Sequence, residues 1–175
     1  EALVKLNVRR GQVLVAIGGG IIQDITCFLA TTMMRGLPWV FYPTTLLAQS
    51  DSCIGSKSSI NSGDIKNILG TFSPPKNIVV DVDFLQTLKK KEIYSGIGEM
   101  IKVHAIDSPE SFNKIADSYE EIVVNFDIME GFIYNSLLMK KKLIEIDEFD
   151  MGPRNVMNYG HSFGHAIETA TNYKI

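Results

Sequence analysis

Apolar and polar positions follow two different patterns along this chain. Val13-Leu-Val-Ala-Ile17 is an unbroken apolar run that ends in Gly18-Gly19-Gly20, as a buried parallel strand does. The pattern predicts a helix over Ile21–Met34, a strand over Trp39–Tyr42 stopped by Pro43, and a third strand over Asn77–Asp81. Strand, helix and strand in that order predict an open α/β sheet, whose ligands bind outside the carboxyl ends of its strands. From about Phe84 onward the strand signals fade. Lys91–Ile106, Ser111–Ile122, Ile128–Ile146 and Val156–Thr171 are each predicted as helices, so the pattern turns from α/β to all-α near residue 90. There is no internal repeat and no low-complexity tract.

A length of 175 residues fits one ordinary domain or parts of two small ones. With 45% apolar and 21% charged residues the composition is that of a globular protein with a substantial core. The net charge of −3 leaves no overall basic footprint, so nucleic acid is not an expected partner. No apolar run reaches transmembrane length, the most apolar helix being broken by Arg35, so no membrane is expected either. Cys27 and Cys53 are too few for a disulfide scaffold and lack C-x-x-C spacing, which fits a reducing cytoplasm. The sequence opens mid-pattern at Glu1 and stops at Ile175 just after a helix, and is expected to be a piece of something longer.

Four segments carry candidate chemistry. The triglycine follows a strand and opens a helix, where backbone N–H groups can meet phosphate oxygens. It lacks the G-x-G-x-x-G spacing, and a tight strand-to-helix turn would also call for glycine. Ser50–Asp64 is long, polar and rich in small residues around Lys57, with Lys66-Asn67 close behind, which suits either an anion-binding loop or a solvated serine-rich one. Glu99 and Lys102 lie within Gly96-Ile-Gly-Glu-Met-Ile-Lys102, as an ordinary i, i+3 surface pair or as an inward metal ligand beside a substrate-facing lysine. His161 and His165 stand four apart on one predicted helical face. Two imidazoles so placed can share a metal, divide metal and proton duties, or simply sit near a helix end.

In order along the chain stand Gly18-Gly19-Gly20…Asp24, Met34-Arg35-Gly36, Pro43-Thr44-Thr45-Leu46-Leu47-Ala48-Gln49, Asp51…Lys57, Lys66-Asn67, Glu99…Lys102 and Arg154…Asn158-Tyr-Gly-His161…His165-Ala-Ile-Glu168. Together these motifs resemble the 3-dehydroquinate synthases of the sugar-phosphate cyclase group. The resemblance implies a Rossmann-like open parallel sheet (1–90, the C-terminal part of an α/β NAD-binding domain). That sheet would be followed by an all-helical metal-binding domain (91–175, its N-terminal part), both incomplete. It also implies a lyase of the shikimate pathway, and so of aromatic amino acid biosynthesis, that uses NAD and zinc (or cobalt). The substrate would be 3-deoxy-arabino-heptulosonate 7-phosphate. Oxidation of an alcohol acidifies the neighbouring C–H, phosphate leaves, the hydride returns, and the ring opens and recloses to 3-dehydroquinate.

By the same resemblance, Glu99 and His161 match two zinc ligands. Gly18, Gly19, Gly20, Asp24, Thr44, Thr45 and Leu47 match the NAD site. Asp51, Lys57, Lys102 and His165 match catalytic groups, while Arg35, Asn67, Lys140, Arg154 and Asn158 match substrate contacts. Lys57, Asn67 and His165 fall on the phosphate side. Arg154, with Lys140 and Asn158, suits a carboxylate and adjacent hydroxyl. Arg35 matches an arginine that reaches the neighbouring subunit's phosphate pocket, implying a homodimer. The resemblance sets a third zinc-binding histidine beyond Ile175, so the fragment alone is expected to hold zinc poorly and to be inactive. Gln23, Ser56 and Ser58 depart from the family's usual glycine, glycine and threonine, and Gln23 is expected near the pyrophosphate turn. Two other readings remain open: a related cyclase acting on sedoheptulose 7-phosphate or glucose 6-phosphate, and a non-catalytic nucleotide-binding fragment.

Overall fold

The computed structural model describes residues 2–62 and 65–171, without the side chains of Ala2, Ser62, Ile65, Lys66, Ser162 and His165. A short helix α1 (Ala2–Lys5) leads into β1 (Leu14–Gly18), α2 (Gly20–Thr32) and β2 (Trp39–Pro43). β1 and β2 pair in parallel, Leu14 opposite Trp39 and Gly18 opposite Pro43, and β5 (Asn77–Ile78) adds in parallel to β2, giving the order β1-β2-β5. α2 covers one face through a core of Ala16, Cys27, Ala30, Trp39, Phe41, Ala48 and Cys53. Val15 and Ile17 point to the other face, 59% and 60% exposed, so β1 is one-sided among the described residues and not the doubly buried strand that its unbroken apolar run predicts.

Helices follow: α3 (Lys90–Asp107), α4 (Pro109–Asp117), α5 (Tyr119–Val124), α6 (Phe126–Ile146) and α7 (His161–Ala170). None among the described residues is long and apolar enough to cross a membrane. Their shared core joins Ile93, Ile97 and Met100 of α3 to Ile115, Ile122, Met129, Phe132 and Ile133, with Leu46 and Leu85 from the preceding segments. The third histidine, His104, is buried here with Nδ1 2.7 Å from Ser111 Oγ, and burial holds its pKa below the ordinary value. Its place is in the core.

Two predicted helices break where turn chemistry outweighs apolar periodicity. Ser111–Ile122 divides at Ser118 into α4 and α5, and α4 starts earlier than predicted, with the Ser108 hydroxyl accepting from Ser111 N–H and Pro109 in the first turn. Val156–Thr171 divides into a 3-10 turn (Pro153–Asn158) and α7, separated by Gly160 at φ 80°.

The larger difference lies at 50–72. The segment predicted as a loop is a π-turn (Ala48–Ser52) followed by an antiparallel hairpin of β3 (Lys57–Ser62) and β4 (Ile65–Phe72), with Lys57 opposite Phe72. The hairpin packs on α2 largely through hydroxyls. Ser58 Oγ lies 2.9 Å from Thr71 Oγ1, which also accepts from Thr31 Oγ1 at 3.3 Å. Such a strand carries no strong apolar alternation.

Gly96 explains why α3 tolerates glycine at its centre. A Cβ there would fall 2.5 Å from Leu46 Cγ and 2.8 Å from Leu47 N, so the helix meets the 46–47 backbone only because no side chain intervenes. Gly96→Ala is expected to destabilise by about 1–3 kcal/mol through overpacking. Gly98→Ala, with nothing within 4 Å of its new Cβ, should not. Urea midpoints of the two variants of the full-length protein test this.

Candidate active site

The carboxyl ends of β1 and β2 set up the site. Gly18 and Gly19 are demanded by packing, since Cβ atoms there would lie 2.6 Å from Ile22 Cγ1 and 2.8 Å from Thr45 Cγ2. Gly20 faces open space. α2 begins without a side-chain cap, so its first N–H groups face that space at the positive end of the helix. This arrangement fits a pyrophosphate-bearing cofactor. Thr44 N donates to Gly18 O at 2.9 Å, and Thr45 Oγ1 accepts from Ala48 N at 3.2 Å, fixing the turn that leads to Asp51.

Two cavities meet at Asp51 and Ser52. The larger, about 620 Å³, is bordered by Leu47, Glu99, Lys102 and His161, with Tyr159 and Glu168. Glu99 forms an ion pair with Lys102, and Lys102 Nζ also donates to Met157 O at 2.9 Å, tying α3 to the turn before α7. The i, i+3 pair is therefore inward and largely buried, each side chain being 15% exposed. Glu99 and His161 supply two donors of suitable kind for a zinc ion. No group of three or more His, Cys, Asp or Glu that could hold a metal occurs among the described residues. The pair fits as part of a ligand set, since catalytic zinc takes three protein ligands and a water or substrate.

The smaller cavity, about 240 Å³, is cationic. It is lined by Lys57, Lys140 and Arg154, with Asp24 and Asp51 opposing them. Lys140 Nζ reaches Asp51 Oδ1 at 2.8 Å and Asp51 O at 2.6 Å. Asp24 accepts from Ser59 N at 3.0 Å, and burial raises its pKa against that bond's opposing pull. Asp24 thus braces α2 against β3 at the cavity wall. Cys53, just beneath, has its thiol pushed up to about 12, chiefly by burial, and is inert as a nucleophile at neutral pH.

Two residues outside the predicted set shape this cavity. Asp150, held at φ 60°, places Oδ2 2.9 Å from Lys57 Nζ. Asp147 accepts from Met151 N at 2.9 Å, Gly152 N at 2.8 Å and Arg154 N at 3.2 Å, folding the loop that delivers both Asp150 and Arg154. Aspartate near the end of a predicted helix, followed by Asp-Met-Gly-Pro, is a recognisable turn signal, but their partners are not legible locally. The Met151 N–H bond leads the causes that hold the Asp147 carboxyl below its ordinary 3.8. A depressed folded-state pKa gives stability that is complete above 3.8 and lost as pH falls through the lower folded value. Amide exchange protection at Met151, Gly152 and Arg154 should fall over that acid range, and Asp147→Ala should remove it already at neutral pH.

Arg35, Asn67 and Asn158 are not among the residues that line the two cavities. Arg35 is exposed in a left-handed turn with Met34 (φ 66° and 52°). Asn67, also left-handed at φ 56°, accepts from Ser59 Oγ at 2.9 Å, and its N–H donates to Asn61 Oδ1 at 2.9 Å. Asn158 is exposed beside Asn155. The side chain of His165 lies outside the described residues, although its backbone belongs to α7. Gln23 lines the smaller cavity beside Gly20 and bonds to Ser52, with Ser52 Oγ donating to Gln23 Oε1 at 2.7 Å.

The family model described as 3-dehydroquinate synthase N-terminal matches residues 1–95, and that described as 3-dehydroquinate synthase C-terminal matches 96–175. A 3-dehydroquinate synthase of Streptococcus thermophilus is 41% identical over 99% of this chain and 49% of its own length. One from Clostridium tetani is 38% identical over 99% and 47%. The chain spans about half the length of the curated relatives it matches. Among solved structures, the 2-epi-5-epi-valiolone synthase of Streptomyces hygroscopicus, with NAD+ and Zn2+ bound, superposes with a TM-score of 0.90 at 26% identity, over 99% of this chain and 49% of that one. A 2-deoxy-scyllo-inosose synthase gives 0.85 at 27% identity, over 99% and 48%. The α/β sheet and helices are thus those of the sugar-phosphate cyclase fold, and with both family models matched end to end the chain belongs to the 3-dehydroquinate synthase family.

Proposed function

We propose that the full-length protein is a 3-dehydroquinate synthase of the shikimate pathway, eliminating phosphate from 3-deoxy-arabino-heptulosonate 7-phosphate with NAD and zinc (or cobalt). The observation that carries this reading is the pair of cavities joined at Asp51, one holding Glu99, Lys102 and His161, the other Lys57, Lys140 and Arg154. A substrate that is both acid and phosphate needs separate cationic anchors, and the smaller cavity supplies them within one small volume. When bound, NAD+ provides a reversible hydride acceptor and the metal polarises the hydroxyl being oxidised.

The chain's own groups do the rest. Arg154 offers a planar fork to the carboxylate, with Lys140 beside it. Lys57, released from Asp150, faces the phosphate, where a fixed cation stabilises the departing dianion. Lys102 orients the Glu99 carboxylate. In this reading Asn67 and Asn158 come to the substrate from outside the two cavities and His165 joins them, and the division near residue 90 puts cofactor and metal on opposite sides of the pocket. Arg35, presented on its left-handed turn, reaches the second subunit of a homodimer. Both cysteines are buried and unpaired, in keeping with a cytoplasmic enzyme.

The structural likeness to 2-epi-5-epi-valiolone synthase favours a second reading, a cyclase acting on a sugar phosphate without a carboxylate such as sedoheptulose 7-phosphate. Phosphate release by the full-length protein with NAD+ and Zn2+ separates the two. Release from the heptulosonate phosphate supports the first reading; no release from it, with turnover of sedoheptulose 7-phosphate, overturns it in favour of the second.

A further inference from the structure

We propose that Gln23 is a specificity-determining residue, a neutral amide that reads a hydroxyl of the sugar chain within the Lys57–Lys140–Arg154 cavity. The inference deepens the proposed activity and rests on it for the class of ligand, a phosphorylated polyol. Gln23 lies in the opening turns of α2, is only 6% exposed, and lines the smaller cavity alongside Gly20, Asp24 and the three cations.

Its orientation is fixed by chemistry. Gln23 Nε2 donates to the backbone carbonyl of Ser52, which can only accept, while Ser52 Oγ donates to Gln23 Oε1 at 2.7 Å. A flipped amide would set two acceptors against each other, so only one orientation satisfies the pair. An amide carries two donor hydrogens and two acceptor lone pairs. Ser52 uses one of each. One N–H and one lone pair therefore remain on a side chain that borders the cavity.

The surrounding charged groups read the anionic ends of a ligand, and Asp24 and Asp51 are engaged with Ser59 N–H and Lys140. Ser52 and Ser59 on the same wall spend their hydroxyl hydrogens on Gln23 and Asn67, whereas Gln23 keeps both a donor and an acceptor, which is what a hydroxyl requires. Ser52 borders the larger cavity as well, so the reciprocal pair fixes the wall where the two cavities meet. A site built to hydrogen-bond a hydroxyl loses selectivity when that group is removed.

Calorimetric titration of the full-length protein with NAD+ tests this, comparing wild type, Gln23→Gly and Gln23→Met. The ligands are 3-deoxy-arabino-heptulosonate 7-phosphate, sedoheptulose 7-phosphate and inorganic phosphate. Both variants are expected to bind the sugar phosphates about tenfold more weakly, the loss of one satisfied hydrogen bond to a buried group. Inorganic phosphate, which meets only the cations, should keep its affinity within about twofold. A purely structural brace would weaken all three ligands by one common factor, and that result, or unchanged affinities, overturns the proposal. Absence of sugar-phosphate binding by the wild type overturns it too. Selective binding without phosphate release would leave the role of Gln23 standing and refute the proposed activity.

Discussion

Lys140→Met is expected to lower the stability of the full-length protein by about 3 kcal/mol, the range found when one member of a buried ion pair is removed. Lys140 is 7% exposed and satisfies both the carboxylate and the main-chain carbonyl of Asp51, at 2.8 and 2.6 Å. Those bonds tie α6 to the π-turn, which itself leads from Thr45 to the hairpin. Without the ammonium, Asp51 retains a carboxylate only 21% exposed, above a Cys53 thiol whose pKa that carboxylate already helps to raise. The cost therefore arises more from the abandoned anion than from the lost bond. Asp51→Asn combined with Lys140→Met removes the anion as well, and should recover a large share of the loss. Urea midpoints of the two single variants and the double variant measure this coupling; strictly additive losses would show that the pair contributes little.

The same cluster shows what was legible in the sequence. Asp24, Asp51, Lys57, Lys140 and Arg154 come from five separate segments, yet the resemblance named each of them and the fold brings all five to one cavity. β1, β2 and the long helices α3 and α6 follow from apolar periodicity, because apolar contacts are what hold them, whereas β5 keeps only Asn77–Ile78 of the strand predicted over Asn77–Asp81. The β3–β4 hairpin does not, because Ser58, Thr71 and Thr31 hold it to α2 through hydroxyl bonds that leave no apolar alternation to detect. Asp150 is illegible for another reason. Its partner Lys57 is 93 residues away, and its left-handed backbone sits in the loop that Asp147 folds. The bond of Gln23 to Ser52 is not legible either, since helical periodicity fixes which face a residue occupies but not which hydrogen bond its side chain finds.

Arg154→Lys should reduce kcat/KM for the heptulosonate phosphate by roughly a hundredfold or more, as loss of a buried charged hydrogen bond costs about 2–5 kcal/mol. Arg154 is 7% exposed and already preset: its N–H rests on Asp147 Oδ2, Nη1 donates to Glu148 O at 2.7 Å, and the guanidinium lies along Gly55 at φ 103°. One edge of the fork is thus spent on holding the side chain still. Lysine keeps the charge but cannot hold Glu148 O and grip a carboxylate with a planar edge together, so charge alone should not rescue the site. The penalty depends on the substrate. A ligand without a carboxylate has nothing to offer the fork, and its kcat/KM should change much less in the same variant. Equal losses for the heptulosonate phosphate and for sedoheptulose 7-phosphate would mean that Arg154 supports the loop of Asp147 and Asp150 instead of reading the acid. A loss confined to the carboxylate-bearing substrate, partly restored to Arg154→Ala by added guanidinium, would place the acid end of the substrate at this residue.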